Sequence, residues 1–177
     1  FMWKVGGARA AKGGNLDAVI ASAQNVVSRT KSICVGLEPC VIPALGHSNF
    51  KIEDGMMEFG VGHHGEAGTK VEELKSASEI AQEMAETILN DFDFEEGKEV
   101  AVMLSGLGAT PVMELYVLYD EVEKVLAKAG HKVWKTYIGN YVTSLDMNGA
   151  SLTIVDLDDE IKELLSEPAA PIGMKNY

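Results

Sequence analysis

Along this chain, short apolar runs of strand length alternate with segments whose apolar residues recur every three or four positions. That alternation constrains the fold more than any other feature. The sharpest case is Thr110-Pro111 followed by Leu115, Leu118, Val122, Val125 and Leu126. Thr110 is placed to cap a helix, Pro111 suits its first position because the N–H it lacks has no intrahelical partner there, and Gly130 stops it. Ser76-Ala77-Ser78-Glu79 has the form of a capping box ahead of Ile80, Met84, Ile88 and Leu89. Asn15 is placed to cap an earlier helix, whose stripe of Leu16, Val19, Ile20, Ala23 and Val27 is expected to lie on a sheet. A short helix is expected over 161–165. Residues 33–37, 56–61, 98–104, 133–138 and 151–155 read as strands, and Phe1-Met2-Trp3-Lys4-Val5 reads as the inside of another. The predicted class is α/β, a two-layer sandwich with a mixed β-sheet covered by helices.

The chain has 177 residues, 46% of them hydrophobic, enough for one well-buried core and short for two. One domain is expected, ending at the helix-breaking tail Pro168-Ala169-Ala170-Pro171. Because the sequence starts without methionine and in apparent mid-strand, it reads as a piece of a longer polypeptide. A net charge of -12 repels phosphate backbones and anionic lipid, so neither nucleic acid nor membrane is an expected partner. Cys34 and Cys40 lack the second pair that a structural zinc site needs and read as reduced thiols. With no run of about 18 apolar residues and no signal peptide pattern, a cytoplasmic location is expected.

The predicted strand at 56–61 runs into Gly60-Val61-Gly62-His63-His64-Gly65-Glu66-Ala67-Gly68. Gly60 to Gly65 satisfies the dinucleotide pattern G-x-G-x-x-G, but the context fails. A dinucleotide site needs a helix opening inside the motif, whereas here Glu66 adds negative charge and the next helix waits until Ser76. The kinase glycine loop is not supported either, since no V-A-I-K, H-R-D or D-F-G element follows. On an extended strand His63 and His64 would face opposite ways, so they are not expected to share a metal. What remains is an imidazole of ordinary pKa about 6.5, set among glycines that let a ligand approach the backbone. Such a group serves as base, as nucleophile, or as a hydrogen-bonding turn residue.

Other candidates are weaker. Ser105 to Ala109 could aim N–H groups at an anion, though small residues at such a corner also serve tight packing. His47 and His131 are expected at the surface. Asp156, Asp158, Asp159 and Glu160 resemble a cation cluster only superficially and suit a helix start better.

The segment from Met57 to Gly68 closely resembles the signature of the substrate-binding subunit of dihydroxyacetone kinases. The similarity continues through Lys4-Val5-Gly6-Gly7-Ala8, residues 36–44, Leu107-Gly108-Ala109-Thr110-Pro111 with Glu114-Leu115-Tyr116, residues 139–147, and Gly149-Ala150-Ser151-Leu152-Thr153. The resemblance covers nearly the whole chain and implies the C-terminal part of such a subunit, with an upstream subdomain outside this sequence. In that family a glycine-flanked histidine binds the ketone covalently, and the register of the glycines gives this role to His64, with Gly65 and Glu66 beside the substrate. Two departures stand out: His63 replaces a bulky aliphatic residue, and Ser105 stands where the family tends to have asparagine.

The resemblance further implies a glycerone kinase subunit that forms a hemiaminal with dihydroxyacetone or a related small ketose. It implies no cofactor or metal on this chain. Magnesium with ATP or ADP is expected on a helical nucleotide-binding kinase subunit or domain, and a homodimer is expected. Related alternatives are a ketose-sensing transcriptional co-activator and a kinase for a four-carbon ketose such as erythrulose.

Overall fold

Strands whose side chains point alternately to the two faces of a sheet make up much of the fold. The computed structural model describes residues 1–48, 50–64, 66–91 and 97–174. Strands β1 (Thr30–Glu38), β4 (Met56–Phe59), β5 (Lys70–Glu73), β6 (Glu99–Gly106), β7 (Lys132–Gly139) and β8 (Asn148–Asp156) form one sheet in the order β5-β4-β1-β8-β6-β7. A separate antiparallel pair joins β2 (Val41–Ile42) to β3 (His47–Ser48). Within the large sheet β4 is antiparallel to β1 and β5, whereas β6 and β7 are parallel. The fold is therefore α/β with a mixed sheet, as the alternation of elements predicts. The chain divides into two units, one made of Phe1–Thr30 with the chain from Val155 onward, the other of Lys31–Ile154.

In the larger unit, helices α3 (Ala77–Asn90) and α4 (Val112–Lys128) supply the apolar layer. The capping box at Ser76 and Glu79 forms in both directions. Behind it Ile80, Met84 and Ile88 are buried with Val100, Val102, Leu104, Leu152 and Ile154. Leu115, Leu118, Val122 and Leu126 of α4 are buried too, and Val125 packs against the same core. The cap of α4 differs from expectation. Pro111 itself is the N-cap residue, with φ -60° and ψ 141°. Thr110 instead turns its buried hydroxyl onto Asn148 Oδ1 at 2.8 Å and the Gly149 carbonyl at 2.6 Å, and accepts from Gly149 N–H at 2.8 Å.

Ser105, also buried, accepts from the N–H groups of Tyr141 at 2.9 Å and Val142 at 3.1 Å. Its hydroxyl thus ties the chain after β7 to the end of β6. Gly130 stops α4 as expected, at φ 84°. His131, expected at the surface, is buried, and its N–H donates back to the Leu126 carbonyl at 2.9 Å as the chain enters β7. Strand β5 lay hidden in the sequence: Lys70-Val71-Glu72-Glu73 has one apolar residue and takes its place from backbone pairing with β4. It carries a lysine and two glutamates at one edge of the sheet, and β7 carries Lys132 and Lys135 at the other.

The smaller unit holds helices α1 (Met2–Ala11), α2 (Leu16–Ser28) and α5 (Asp159–Ser166). The N-terminus is thus helical rather than a strand; a five-residue apolar run does not discriminate between the two. Lys4 donates to the carbonyls of Leu164 and Glu167. Asn15 caps α2 by accepting from Ala18 N–H at 2.9 Å, as predicted. The buried face of α2 is a different one from that predicted. Ser22 and Val26 are buried, whereas Leu16 is 73% exposed and Ile20 55%.

Polar pairing explains this rotation. Ser22 donates to Glu160 at 2.7 Å, Asn25 donates to Asp158 at 2.8 Å, and Arg29 pairs with Asp156. The acidic cluster is occupied in this way, with Asp158 also capping α5 through Ile161 N–H at 2.8 Å. Among the described residues no group of three or more His, Cys, Asp or Glu side chains is arranged to hold a metal. No described helix is long and apolar enough to cross a membrane.

Replacing Ser105 by Ala strands two backbone N–H groups without their acceptor. The expected cost is about 2 kcal/mol in urea unfolding, at an unchanged m-value.

Candidate functional site

The histidine segment begins where β4 ends and returns where β5 begins, so its two ends are held by the sheet. At the start, Gly60 takes φ 78° and its N–H donates to the Cys34 carbonyl of β1 at 2.7 Å. At the return, Thr69 N–H donates to the Phe59 carbonyl at 2.8 Å, and its hydroxyl donates to the same oxygen at 3.1 Å. Between these anchors, Glu58 sends a buried carboxylate to Gly68 N–H at 2.6 Å. Within the loop, Gly62 N–H donates to the Glu66 carbonyl at 2.9 Å.

Two glycines are required by close approach rather than by φ. A Cβ at Gly62 would lie 2.0 Å from Glu66 Oε2, and one at Gly68 would lie 2.4 Å from the Phe59 carbonyl oxygen. The first leaves room for a side chain to cross the loop. The second lets the returning strand close onto β4.

The two histidines diverge within a turn rather than by strand alternation. His64 is the outward one, its side chain 88% exposed. Glu66 holds it twice, accepting from His64 N–H at 3.0 Å through Oε2 and meeting Nδ1 at 3.1 Å through Oε1. An ionised carboxylate only accepts, so at this contact Nδ1 is the donor. The Glu66 carboxyl is held below the ordinary glutamate value of 4.5, first by its own backbone N–H, then by the backbone and imidazole of His64. Of the predicted site residues, then, His64 and Glu66 are brought together, and Gly65 lies outside the described residues.

His63 turns the other way, with Nδ1 4.0 Å from Cys34 Sγ. Burial pushes the Cys34 thiol up to about 11, which keeps it protonated and unreactive at neutral pH. Its S–H is available to His63 as a weak donor. Sequence reasoning assigned no role to Glu58, although an acid between buried Met57 and Phe59 is itself a signal, since a buried carboxylate needs a partner.

The site thus lies on a mixed α/β sheet, with a glycine-flanked histidine held by a carboxylate after a strand end. Residues 1–172 match the Dak1 domain. The chain is 40% identical over 157 residues to the dihydroxyacetone-binding subunit DhaK of PTS-dependent dihydroxyacetone kinase 1 from Listeria innocua, a match covering 89% of this chain and 48% of that protein. It is 34% identical over 168 residues to D-erythrulose kinase from Mycolicibacterium smegmatis, covering 95% of this chain and 29% of the kinase. Among solved structures it superposes on the dihydroxyacetone kinase operon co-activator Dha-DhaQ with a TM-score of 0.88 at 29% identity, covering 94% of this chain and 52% of that one. The chain belongs to the Dak1 domain family. It spans about half the length of the DhaK relative it matches.

Gly62→Ala is expected to displace the Glu66 carboxylate, and with it the Nδ1–H tautomer of His64, read from imidazole 15N shifts. Gly7→Ala, where a Cβ meets nothing within 4 Å, leaves that signature unchanged. The Glu66 contacts should also outlast ordinary glutamate protonation. Because the folded value is depressed, their contribution is complete above the unfolded value and is lost only as pH falls through the lower folded one. The His64 amide shift in an acid titration reports this midpoint, expected below 4.5.

Proposed function

We propose that this chain is the ketose-capturing part of a dihydroxyacetone kinase substrate-binding subunit and that His64 is its nucleophile. One observation carries the reading: an exposed imidazole whose Nδ1 is held by Glu66 at 3.1 Å. In the proposed step the Nε2 lone pair forms a bond to the ketone carbon while the carbonyl π bond breaks toward oxygen. The oxygen takes a proton from solvent water and becomes a hydroxyl, while the imidazole gives up the Nδ1 proton along its hydrogen bond to Glu66 and from there back to solvent, so no net proton is consumed. The net result is a neutral, reversible hemiaminal. Glycerol offers no electrophilic carbon and is refused, so capture supplies selectivity. It also fixes the terminal hydroxyl for in-line phosphoryl transfer.

In this reading Gly65 and Glu66 flank the bound ketose. The phosphoryl donor, magnesium with ATP or ADP, belongs to a helical nucleotide-binding partner subunit or domain. The remaining pocket residues belong to an upstream subdomain, and the working unit is a cytoplasmic homodimer. Two narrower alternatives have specific support. The match to an operon co-activator favours a ketose sensor, and the match to an erythrulose kinase favours a four-carbon ketose.

The test uses dihydroxyacetone labelled with 13C at its carbonyl carbon. A tetrahedral-carbon resonance should appear with the unaltered chain and with His63→Ala, and should vanish with His64→Ala. An adduct that survives His64→Ala would sink the proposal. Glu66→Gln is expected to weaken capture about tenfold. ATP-dependent ketose phosphorylation should require the partner subunit, and robust turnover by this chain alone would refute the assignment of the donor.

A further inference from the structure

The layer between α3, α4 and the sheet contains a cavity of about 240 Å³ that opens to solvent. Val35, Leu37, Ile80, Leu115, Leu118 and Ala150 form its walls. Packed layers tolerate few voids larger than a water molecule, so a mostly apolar recess of this size is a notable gap in the layer. A void of about 150 Å³ already admits a benzene-sized molecule. This one is larger and takes an apolar chain of about six carbons.

Two further observations point to a ligand. Leu37, Thr110, Glu114, Leu115, Gly149 and Ala150, six of the residues in the resembling segments, line the cavity. Thr110 and Gly149 are mutually hydrogen-bonded, so that end of the wall is rigid. At the mouth, Leu74 and Val117 are 53% and 56% exposed, leaving apolar surface that a chain emerging from the cavity would cover.

Charge decides the head group. Lys75 lines the opening, but Glu72 and Glu83 each hold its ammonium at 2.7 Å, so it has little charge left for an anion. Glu114, on the first turn of α4, has no ion pair among the described residues. The rim therefore favours a cation over a carboxylate. Alternation along β1 puts Val35 on the helix side and Cys34 on the side of His63, so the cavity and the histidine loop lie on opposite faces of the sheet.

From this geometry we propose a second ligand site in the larger unit: an apolar slot for a short aliphatic chain bearing an ammonium head, with Glu114 as the counter-charge. It is independent of ketose capture.

The experiment is isothermal titration of the chain with hexylamine, hexanol and hexanoate, with 13C-dihydroxyacetone capture measured in parallel. Hexylamine should bind at least tenfold tighter than hexanoate, and Glu114→Gln should bring hexylamine down to the level of hexanol. Ala150→Leu or, should that variant fold poorly, Ala77→Leu fills the slot and should abolish binding of both, while the ketone adduct on His64 persists. Hexanoate binding best, no binding by any of the three, or binding indifferent to the filled slot would each overturn the proposal. Loss of the ketone adduct in the unaltered chain would instead count against the function of His64 alone.

Discussion

A central strand has to meet two neighbouring layers at once, and β1 does so by alternating bulk with near-absence of bulk. Val35 fills the helix side of the sheet, next to Leu104, Leu115 and Ala150. On the other side Gly36 lets Val61 and Met147 descend until a Cβ would sit 3.0 and 3.1 Å from their side chains. Gly149 presses still closer, its absent Cβ falling 2.2 Å from the Val35 carbonyl oxygen. A larger residue at Gly36 or Gly149 would push β8 or the histidine segment off the sheet. The Cys34 carbonyl, which anchors Gly60, depends on the same strand. Position and chemistry at the loop therefore trace back to how thin one face of β1 is.

How much of this was readable from the residues depends on which force fixed each element. Where local capping and apolar periodicity agree, as in α3 with Ser76, Glu79, Ile80, Met84 and Ile88, sequence and structure coincide. α2 shows the opposite case. Its apolar stripe is real as a pattern, yet the helix turns on hydrogen bonds from Ser22 and Asn25 to acids more than 130 positions away, which no local window contains. β5 was invisible because its four residues carry no apolar alternation and are held by backbone pairing with β4 and by ion pairs such as Lys70 with Glu83. Thr110 looked like a cap since hydroxyl residues favour such ends, but its hydroxyl finds stronger partners at Asn148 and Gly149.

The candidate site was legible in outline and not in detail. The glycine register implied by the family resemblance pointed to His64 rather than His63, and the failure of a helix to open inside the motif argued against the nucleotide reading. The tautomer of His64 was out of reach, because it rests on the Glu66 side chain folding back across Gly62, a through-space contact made possible by a missing methyl group. Glu58 was passed over for a similar reason: an acid inside an apolar strand has a purpose only once Gly68 is seen to approach it.

The two margins of the sheet carry a last implication. An unpaired strand margin is a template on which other chains can stack, and long apolar margins lead to fibres. Here one margin is the four-residue β5 with its lysine and glutamates, and the other is β7 with Lys132 and Lys135. Stacked on its own copy, β7 would bring ammonium groups together, and β5 offers only four residues to pair. The sheet is thereby guarded against growing outward, and crowding many copies together favours dispersal over cross-β assembly.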